Sequence, residues 1–539
     1  MSTATGELAT AAPPGLSADL AAAHLRALGH RTERHPDGTL GLASGPLRLE
    51  CRISWAGPVA LPLRSEADVQ AACGLMHVHG RRYGRPVPLG IGFASAAAGV
   101  LAATGALAAL RAARLGAPHS GVEVSVAQAA LLGIGQYLAA ATADEPAEGE
   151  ADEEGESDEE GEADEAAAGP GAPPFVSLDG VRFELEALEA EGWRRFWAAL
   201  GADRRVVARA WRPFQLRYAT ALCPLPAALA AATATLPYRQ LAELAAECGV
   251  TATEVAARAT PGAGSAVPWR ITPGGRAAVP GRPPGRGRGP LDGVTVVEVA
   301  RRVQGPLAGH VLGLLGARVV RVEPPGGDPL RGVPPMAGPV SARFAALNRH
   351  KEVLEADLRS PAGRAAVRGA VAGADVLLHS LAPAKVPALG LDADSLTAVR
   401  PGLVHVQASG SGPERGPGPP LGTDYPVQAY SGLAALVTPP GEQVRPSLMT
   451  LCDVLGGLVC AEGAVAALEA RERTGLAQRV ESSLLSAARL LCRLGGGSGP
   501  APSVPVCSDL AALAADPRLA PVLDRAGCAL VRPPWTFRP

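Results

Sequence analysis

The chain has 539 residues, of which 47% are hydrophobic but only 4% aromatic, and its formal net charge is −2. This length exceeds what one hydrophobic core can organise and predicts two to four domains. The nine cysteines form no Cys-x-x-Cys pair and no Cys/His cluster with metal-ligand spacing, so we expect no metal. Without a secretory signal or an uninterrupted membrane-length apolar stretch, we expect a cytoplasmic protein with no membrane partner.

The first part of the chain predicts two small folded units and a linker. Residues 1–140 carry a helical pattern at 16–28, a hairpin at 39–53 and helices at 94–115 and 124–141. The stretch from Asp144 to Glu165 has 14 acidic residues and no basic one, which predicts a disordered linker over 141–172. Residues 173–265 predict a smaller α/β unit with a strand at 180–185 and helices at 193–200 and 238–247.

The second part predicts a parallel sheet. Residues 266–289 are rich in Arg, Gly and Pro without interleaved aromatics, so we expect a flexible linker and no nucleic-acid partner. Strands and helices then alternate, at 294–300, 306–315, 317–323, 361–372, 374–379 and 403–408. This alternation predicts a Rossmann-like α/β fold over 290–492, with ligands at the carboxyl ends of the strands. The remaining residues, 493–539, form a C-terminal segment.

The chain also contains an internal repeat. Residues 69–130 align without a gap on 427–488, an offset of 358, with 19 of 62 positions identical. Chance in a sequence this rich in small residues would give roughly a third of that number. The alignment pairs Ser95 with Asp453. We therefore expect a duplicated fold in which the two copies differ at a position that can carry chemistry.

Motifs over residues 290–489 resemble a known family in their order and spacing. They are Pro290–Glu298, Gly305-Pro306, Leu314–Pro329, Asn348–Lys351, Asp357-Leu358, Ala374–Leu377, Leu389–Leu391, Ser409–Gly412, Asp424, Gln428-Ala429, Ser431-Gly432, Thr474-Gly475 and Val480–Leu484. Together they resemble the family III CoA-transferases, which include the formyl-CoA and carnitine CoA-transferases. The resemblance implies transfer of coenzyme A from an acyl-CoA thioester to a carboxylic acid, with these small molecules as partners and no metal.

The resemblance also implies the nucleophile. The family's aspartate lies in a Leu-x-Asp-x-x-Gly-Gly setting, which matches Leu451 to Gly457 and selects Asp453. A carboxylate that acts as a covalent relay divides acyl exchange into easier steps, each passing through an oxyanion. We expect Gly456 and Gly457, at a helix start, to offer backbone N–H donors to CoA or the oxyanion. The alternative for Asp453 is a helix N-cap.

The family's CoA-binding loops map onto four places in this chain. They correspond to Arg302, Val303, Gln304, Pro324, Arg359 and Ser380. At Ser380–Ala384 the chain departs from the Asn-x-x-Pro-Gly pattern of the family, and Ala388 stands where an arginine is common. We therefore expect this loop to make fewer contacts with CoA.

Other readings remain open at this point. The same fold hosts α-methylacyl-CoA racemases, but these have Gly-His-Asp where this chain has Gly422-Thr423-Asp424, and threonine does not exchange protons near neutral pH. Asp424 is then either a substrate-binding group or a cap ahead of a helix. A catalytically inactive CoA-binding scaffold is a further alternative. Because the family forms interlocked homodimers, the two copies predict either a pseudo-dimer within one chain or a homodimer, with Ser95 marking an inert copy.

Overall fold

The computed structural model describes residues 15–144, 172–259, 267–277, 289–412, 421–495 and 501–539. Most of the predicted acidic linker, residues 145–171, lies outside these ranges, as do residues 278–288 of the predicted basic linker.

The first unit packs helices on a small sheet. Its elements are α1 (Gly15–Ala27), β1 (Arg31–Arg34), β2 (Leu40–Ser44), β3 (Leu47–Ser54), α2 (Glu66–Ala72), α3 (Leu75–Gly80), α4 (Phe93–Arg114), β4 (Gly121–Ser125), α5 (Val126–Gly133) and α6 (Gly135–Ala141). The predicted first helix, hairpin and long helix are confirmed. The helix predicted over 124–141 is wrong at its start, because the β-branched residues Val122 and Val124 pair in parallel with β3, and Ser125 then caps α5.

The second unit is a three-stranded antiparallel sheet with helices. Its elements are β5 (Phe175–Val176), β6 (Arg182–Glu186), α7 (Ala190–Ala199), α8 (Arg204–Thr220), α9 (Ala227–Thr233), α10 (Tyr238–Cys248) and β7 (Thr251–Glu254). The predicted strand and both predicted helices are confirmed. Residues 211–218 belong to α8. This helix runs through Pro213 because Val207, Ala210, Phe214 and Arg217 are buried on one helical face.

The third unit contains the predicted parallel sheet. Its elements are β8 (Trp269–Ala277), β9 (Thr295–Val299), α11 (Gln304–Leu314), β10 (Arg318–Glu323), β11 (Met336–Ala337), β12 (Val340–Ser341), α12 (Ala342–Asn348), β13 (Glu352–Glu355), α13 (Pro361–Ala372), β14 (Val376–His379), α14 (Ala393–Thr397), β15 (Val404–Ser409), α15 (Asp424–Ser431), α16 (Leu433–Val437), α17 (Leu451–Thr474), β16 (Leu476–Ser483) and α18 (Leu484–Leu494). The strand order is β13-β10-β9-β14-β15-β16-β8, and all neighbours are parallel except β8. The Rossmann-like prediction is confirmed.

The C-terminal segment returns to the first unit. It forms α19 (Leu510–Ala515), β17 (Leu523–Arg525), β18 (Ala529–Val531) and β19 (Trp535–Arg538). Strand β19 pairs antiparallel with β4, as β8 pairs with β16. The linker predicted over 266–289 is therefore wrong for 269–277, since the backbone of these residues completes the sheet of the third unit.

The two edge strands dock in the same way on the two copies. Trp535 packs on Gly105 and Trp269 packs on Gly463, and these glycines are equivalent at the 358-residue offset. Strand β8 follows the second unit but joins the third, whereas β19 follows the third unit but joins the first. The two copies are thus interlocked within one chain.

Helices α4 and α17, equivalent in the repeat, pack against each other at the centre of the molecule. Both are long and apolar enough to cross a membrane by composition, and nearly all of each is buried against other parts of the chain. Basic side chains of the first copy pair with acidic side chains of the second across the interface. The pairs are His24–Glu462, Arg114–Glu469 and Arg111–Glu472, at 2.8, 3.0 and 3.4 Å.

Substitution of Gly105 tests whether β19 is needed to close the first sheet. A side chain on Gly105 would place its Cβ 2.5 Å from the Trp535 ring. We expect Gly105→Val to lower the free energy of unfolding by about 1–3 kcal/mol and to speed amide hydrogen exchange in 535–538. Gly369→Ala, which meets no atom within 4 Å on α13, is the control and should not destabilise the protein. Unchanged exchange in Gly105→Val would contradict the docking.

Candidate active site

A pocket of about 230 Å³ opens where the second unit meets the third. From the third unit it is lined by residues 302–303 after β9, by Pro329, Leu330 and Val333 after β10, by residues 423–425 after β15, and by Thr450 and Asp453. The second unit adds residues 186–188 and 215–218. The pocket therefore lies at the carboxyl ends of the parallel strands, as the fold predicts.

Asp453 is the acidic group at the start of α17. Thr450 is the N-cap of this helix, so Asp453 occupies the third helical position and is not the N-cap. The backbone N–H of Gln304 lies beside the Asp453 carboxylate and favours the charged form. Burial raises the pKa of Asp453 to about 6, with the Glu186 charge adding to the rise and Arg302 and the Gln304 N–H opposing it. Near neutral pH the group is therefore an ionised but poorly solvated carboxylate.

The loop before α11 brings three predicted residues to this carboxylate. Arg302 and Val303 line the pocket, and Gln304 supplies the N–H. Arg302 has a φ of 65°, a left-handed conformation that is costly for a residue other than glycine. This backbone geometry turns the loop from the end of β9 into α11 beside Asp453. The side-chain Nε2 of Gln304 is buried and has no hydrogen-bond partner among the described residues.

Asp424 positions the start of α17. Its carboxylate accepts from the Asp453 N–H at 2.7 Å and from Gln428 Nε2 at 2.5 Å. Burial raises the pKa of Asp424 well above its usual range, and the Asp453 charge adds to this effect. Gln428 in turn accepts from the Ser447 N–H at 2.9 Å. The sequence-based alternative of a cap ahead of its own helix is wrong in detail, because Thr423 is the N-cap of α15 and Asp424 is the first residue of that helix. The Asp424 carboxylate instead accepts from the first turn of α17. Asp424 also lines the pocket, so its substrate-binding role stays a prediction.

The first copy contains the same network without the aspartate. Glu66, Gln70 and Leu89 are the repeat equivalents of Asp424, Gln428 and Ser447. Glu66 accepts from the Ser95 N–H at 2.8 Å and from Gln70 Nε2 at 2.9 Å, while Gln70 accepts from the Leu89 N–H at 3.0 Å. The same hydrogen bonds are thus present in the first copy, which has serine in place of the aspartate. They therefore support the start of the long helix, α4 or α17, in each copy.

Ser95 itself is buried, with only 1% of its surface exposed. Its hydroxyl donates to Glu66 at 2.6 Å, and its carbonyl accepts from the Ser17 hydroxyl of α1 at 2.8 Å. Leu16 of α1 also packs against Gly92, just before α4. Helix α1 therefore covers the position that corresponds to the opening beside Asp453.

Sequence reasoning missed the wall that the second unit contributes. Arg217 lies 3.2 Å from Glu186 and 3.8 Å from Glu184, and its guanidinium lies 3.8 Å from the Phe214 ring centre. Burial raises the pKa of Glu184 to about 7, although Arg217 opposes the rise. Two glutamates alternating with apolar residues along β6 were the sequence signal for a buried charged wall.

The other predicted residues lie away from the pocket or play other parts. Pro324 and Ser380 do not line it, although the Ser380 hydroxyl accepts from the Arg301 N–H at 3.4 Å. Arg359 pairs with Asp357 at 3.1 Å, with 93% of its side chain exposed. Among the described residues no group of three or more His, Cys, Asp and Glu side chains could hold a metal.

The expectation for Gly456 and Gly457 is wrong in its geometry. Helix α17 begins at Leu451, so both glycines lie inside the helix, where their N–H groups belong to the helical ladder. A Cβ on Gly457 would approach the Gln304 carbonyl oxygen to 2.8 Å. Because Gly456 and Gly457 have no side chains, α11 lies close to α17. This close packing places the Gln304 N–H beside Asp453.

The raised pKa of Asp453 predicts a pH profile. From the sequence-based expectation that the Asp453 carboxylate is the nucleophile, we predict that kcat/KM falls as the pH drops through about 6. Glu186→Gln removes a charge that raises this pKa, so the acidic limb of the profile should move to lower pH. Glu243→Gln, on the exposed face of α10, is the control and should leave the limb in place. A movement to higher pH in Glu186→Gln would contradict the assignment.

The molecule is a duplicated α/β protein. Its pocket lies at the carboxyl ends of the parallel strands and contains the buried carboxylate of Asp453, in the first turn of α17. The model of CoA-transferase family III matches residues 57–260 and 291–494, together more than half of the chain. The chain therefore belongs to CoA-transferase family III.

Individual relatives match a smaller part. The chain is 34% identical over 227 residues to acetyl-CoA:oxalate CoA-transferase of Acetobacter aceti, which covers 40% of this chain and 57% of that protein. It is 35% identical over 205 residues to succinate–glutarate CoA-transferase of Agrobacterium fabrum, covering 36% and 51%. A solved structure of a CAIB/BAIF family protein from Brucella suis has 33% identity and a TM-score of 0.36, covering 38% of this chain and 55% of that one. The chain spans about half the length of the curated relatives it matches.

Proposed function

We propose that the protein transfers coenzyme A from an acyl-CoA thioester to a carboxylic acid through a covalent intermediate on Asp453. The observation that carries the proposal is the position of this carboxylate, which lines the pocket at the start of α17 with the Gln304 N–H beside it. Burial keeps it poorly solvated, which strengthens a carboxylate as a nucleophile. Family membership and the CoA-transferase names of the relatives agree with this chemistry.

The reaction divides into four balanced acyl transfers. An Asp453 oxygen attacks the thioester carbon, the C–S bond breaks, and CoA departs as a thiolate. The acyl group is then bound to Asp453 as a mixed anhydride. The thiolate then attacks the aspartyl carbon, which releases the donor acid and forms an aspartyl-CoA thioester. The acceptor carboxylate attacks the aspartyl carbon of this thioester and expels the CoA thiolate, which forms a second mixed anhydride between Asp453 and the acceptor. Attack of the thiolate on the acceptor's acyl carbon releases the new acyl-CoA and restores the Asp453 carboxylate.

The chain's own groups have separate tasks in these steps. The Gln304 N–H and the positive end of α17 stabilise negative charge at Asp453 and in the oxyanions. Asp424 and Gln428 hold the first turn of α17 in place. The second unit closes the pocket with Glu186 and Tyr218 and limits the access of water to the anhydride.

The racemase alternative finds no support among these contacts. Thr423, which replaces the histidine of the racemases, donates its hydroxyl to Glu186 at 2.9 Å. Asp424 has both oxygens engaged by the helix start and by Gln428. Neither group is free to exchange a proton at the α-carbon of a substrate.

We further propose that one chain forms a pseudo-dimer with one working site. The third unit supplies Asp453, the second unit supplies the wall with Glu186, and the first copy supplies Ser95 under α1. We expect one equivalent of acyl group per chain in covalent labelling. Two equivalents per chain, or labelling that requires a second chain, would contradict this arrangement.

The test of the proposed function is a transfer assay with mass-spectrometric detection. The protein is incubated with succinyl-CoA and an excess of isotope-labelled acceptor acids, and each new acyl-CoA is quantified against the succinyl-CoA consumed. Equal amounts of both support transfer. Free CoA without a new thioester would support hydrolysis, and deuterium uptake from D₂O at the α-carbon of a 2-methylacyl-CoA would support the racemase. CoA binding without any reaction would support the scaffold.

A further inference from the structure

Helices α4 and α17 occupy equivalent places in the two copies, and so do the helices packed on them, α1 and α11. The first copy lies in the first unit and the second copy in the third unit. A Cβ on Gly99 of α4 would lie 3.0 Å from Leu20 Cβ of α1. A Cβ on Gly457, its repeat equivalent on α17, would lie 3.0 Å from Leu307 Cβ of α11. Leu20 and Leu307 are therefore equivalent, and the correspondence between the copies extends to α1 and α11.

The charged contacts between α4 and α17 are reciprocal. Arg111 and Arg114 of α4 are the repeat equivalents of Glu469 and Glu472 of α17. Arg111 lies 3.4 Å from Glu472, and Arg114 lies 3.0 Å from Glu469. Each arginine thus contacts the glutamate that is equivalent to the other arginine, which is the pattern of a twofold, isologous interface. The two sides of this interface have opposite charges at equivalent positions.

This opposition of charge restricts which copies can meet. Two second copies paired in the same way would bring Glu469 against Glu472, and two first copies would bring Arg111 against Arg114. The side chains of Arg111, Glu469 and Glu472 are at most 4% exposed. Water would therefore screen such like-charge contacts poorly.

Charges of the second copy itself do not remove the conflict. Arg471 lies 3.1 Å from Glu472, but it also serves Asp375 at 3.2 Å. Arg473 lies 3.4 Å from Glu469 with 42% of its side chain exposed, so water weakens this contact. Among the described residues, the arginines paired across the interface have carboxylate partners from the second copy and none from their own.

A third pair makes the same distinction. The side chain of Glu462 on α17 is fully buried, and its two oxygens lie 2.8 and 2.9 Å from His24 Nδ1 on α1. The residues equivalent to Glu462 and His24 are Thr104 and Val311. Facing another second copy, Glu462 would meet a valine in place of the histidine. It would then be a buried carboxylate without a hydrogen-bond donor, which is unfavourable.

We propose that the α4–α17 surface selects its partner by charge: it accepts the unlike copy, from the same chain or from another, and rejects a like copy. Complementary charges suppress wrong pairings because the juxtaposition of like charges is unfavourable. Two copies that contain Asp453 are therefore kept from pairing with each other through α17. The inference adds this selection to the proposed pseudo-dimer and does not depend on CoA transfer.

The test is a charge-exchange cycle in the full chain at pH 8. Arg111→Glu with Arg114→Glu makes both sides of the interface acidic, and Glu469→Arg with Glu472→Arg makes both sides basic. We expect either double variant to lose at least about 10 °C of its unfolding midpoint. The combination of all four substitutions restores opposite charges in reversed order and should recover at least half of the loss.

Two further variants separate the rejection of like charge from the loss of an ion pair. Arg111→Leu with Arg114→Leu removes the basic groups without adding carboxylates, so it should lower the midpoint less than the acidic double variant does. Arg209→Glu with Arg212→Glu reverses two exposed arginines at the same spacing on α8 and should leave the midpoint within about 2 °C of wild type. If a double variant does not fold, Arg111→Glu, Glu472→Arg and their combination give the same comparison on one pair.

The outcomes separate this inference from the proposed function. An acidic double variant as stable as the wild type or as the leucine variant would overturn the selection. A fourfold variant that recovers none of the loss would also overturn it. The predicted midpoints in a protein that shows no CoA transfer would support the inference and contradict only the proposed function.

Discussion

Replacement of Asp453 by asparagine is expected to lower kcat/KM for CoA transfer by at least about a thousandfold. Asparagine has the same shape but cannot form the anhydride or the aspartyl thioester. The protein should remain folded, because the folded-state pKa of Asp453, about 6, lies above its ordinary value. At a pH above both values, a carboxyl of this kind costs stability, so its removal should leave the unfolding midpoint unchanged or raise it.

Ser95→Ala is the matched control for Asp453→Asn. Ser95 occupies the equivalent position of the first copy but lies under α1 and bonds to Glu66. We expect its replacement to change kcat/KM by less than about twofold, since Ser95 is not among the described residues that line the pocket. Activity within tenfold of wild type in Asp453→Asn, or a loss in Ser95→Ala as large as the loss in Asp453→Asn, would contradict the division of labour between the copies.

Replacement of Arg217 by methionine is expected to lower the free energy of unfolding by about 3–5 kcal/mol. The substitution leaves Glu184 and Glu186 buried side by side without their shared cation. It also removes the guanidinium from the faces of Phe214 and Tyr425, which lie 3.8 and 4.7 Å from it. Because these groups form the wall of the pocket, the variant should also lose CoA transfer. Urea unfolding followed by circular dichroism measures the first effect.

Arg239→Met provides the control for Arg217→Met. Arg239 pairs with Glu243 on the exposed face of α10, with 89% and 60% of the two side chains accessible. Exposed pairs contribute little, so the change should stay within about 0.5 kcal/mol. Adding Glu186→Gln to Arg217→Met should recover part of the lost stability, since one unpaired charge is then removed. If Arg217→Met lowers the free energy of unfolding by less than about 1 kcal/mol, the contacts of Arg217 with Glu184 and Glu186 do not stabilise this side of the pocket.

Four strands of the parallel sheet, β9, β10, β14 and β15, were predictable because they are short, mainly apolar runs bounded by turn residues. Strands β13 and β16 were not predicted, because polar and charged residues interrupt them. The duplication was predictable because residues such as Gly105 and Gly463 meet the same demand, the close approach of a tryptophan. Strand β8 could not be predicted from the sequence, because its pairing with β16 joins residues about 200 positions apart. Its Pro and Gly residues also resemble those of a linker.

Of the residues that the structure places at the candidate site, only Asp453 and the loop Arg302–Gln304 were predictable. Asp453 and Arg302–Gln304 follow from a motif within one unit, whereas Glu186 and Arg217 arrive from another unit by tertiary packing. Local sequence contains no record of that contact. The expectation for Gly456 and Gly457 failed because the boundary of α17 lies several residues earlier, at Leu451, which turns presumed open N–H groups into helical ones.

The central claim is that Asp453 carries the acyl group and CoA during transfer. It is tested most directly by incubating the protein with succinyl-CoA, adding hydroxylamine and locating the product by peptide mass spectrometry. The account predicts a hydroxamate on Asp453, absent in Asp453→Asn and absent at Ser95. Transfer of CoA with unmodified Asp453, or with the hydroxamate on another carboxylate such as Asp424, would contradict it.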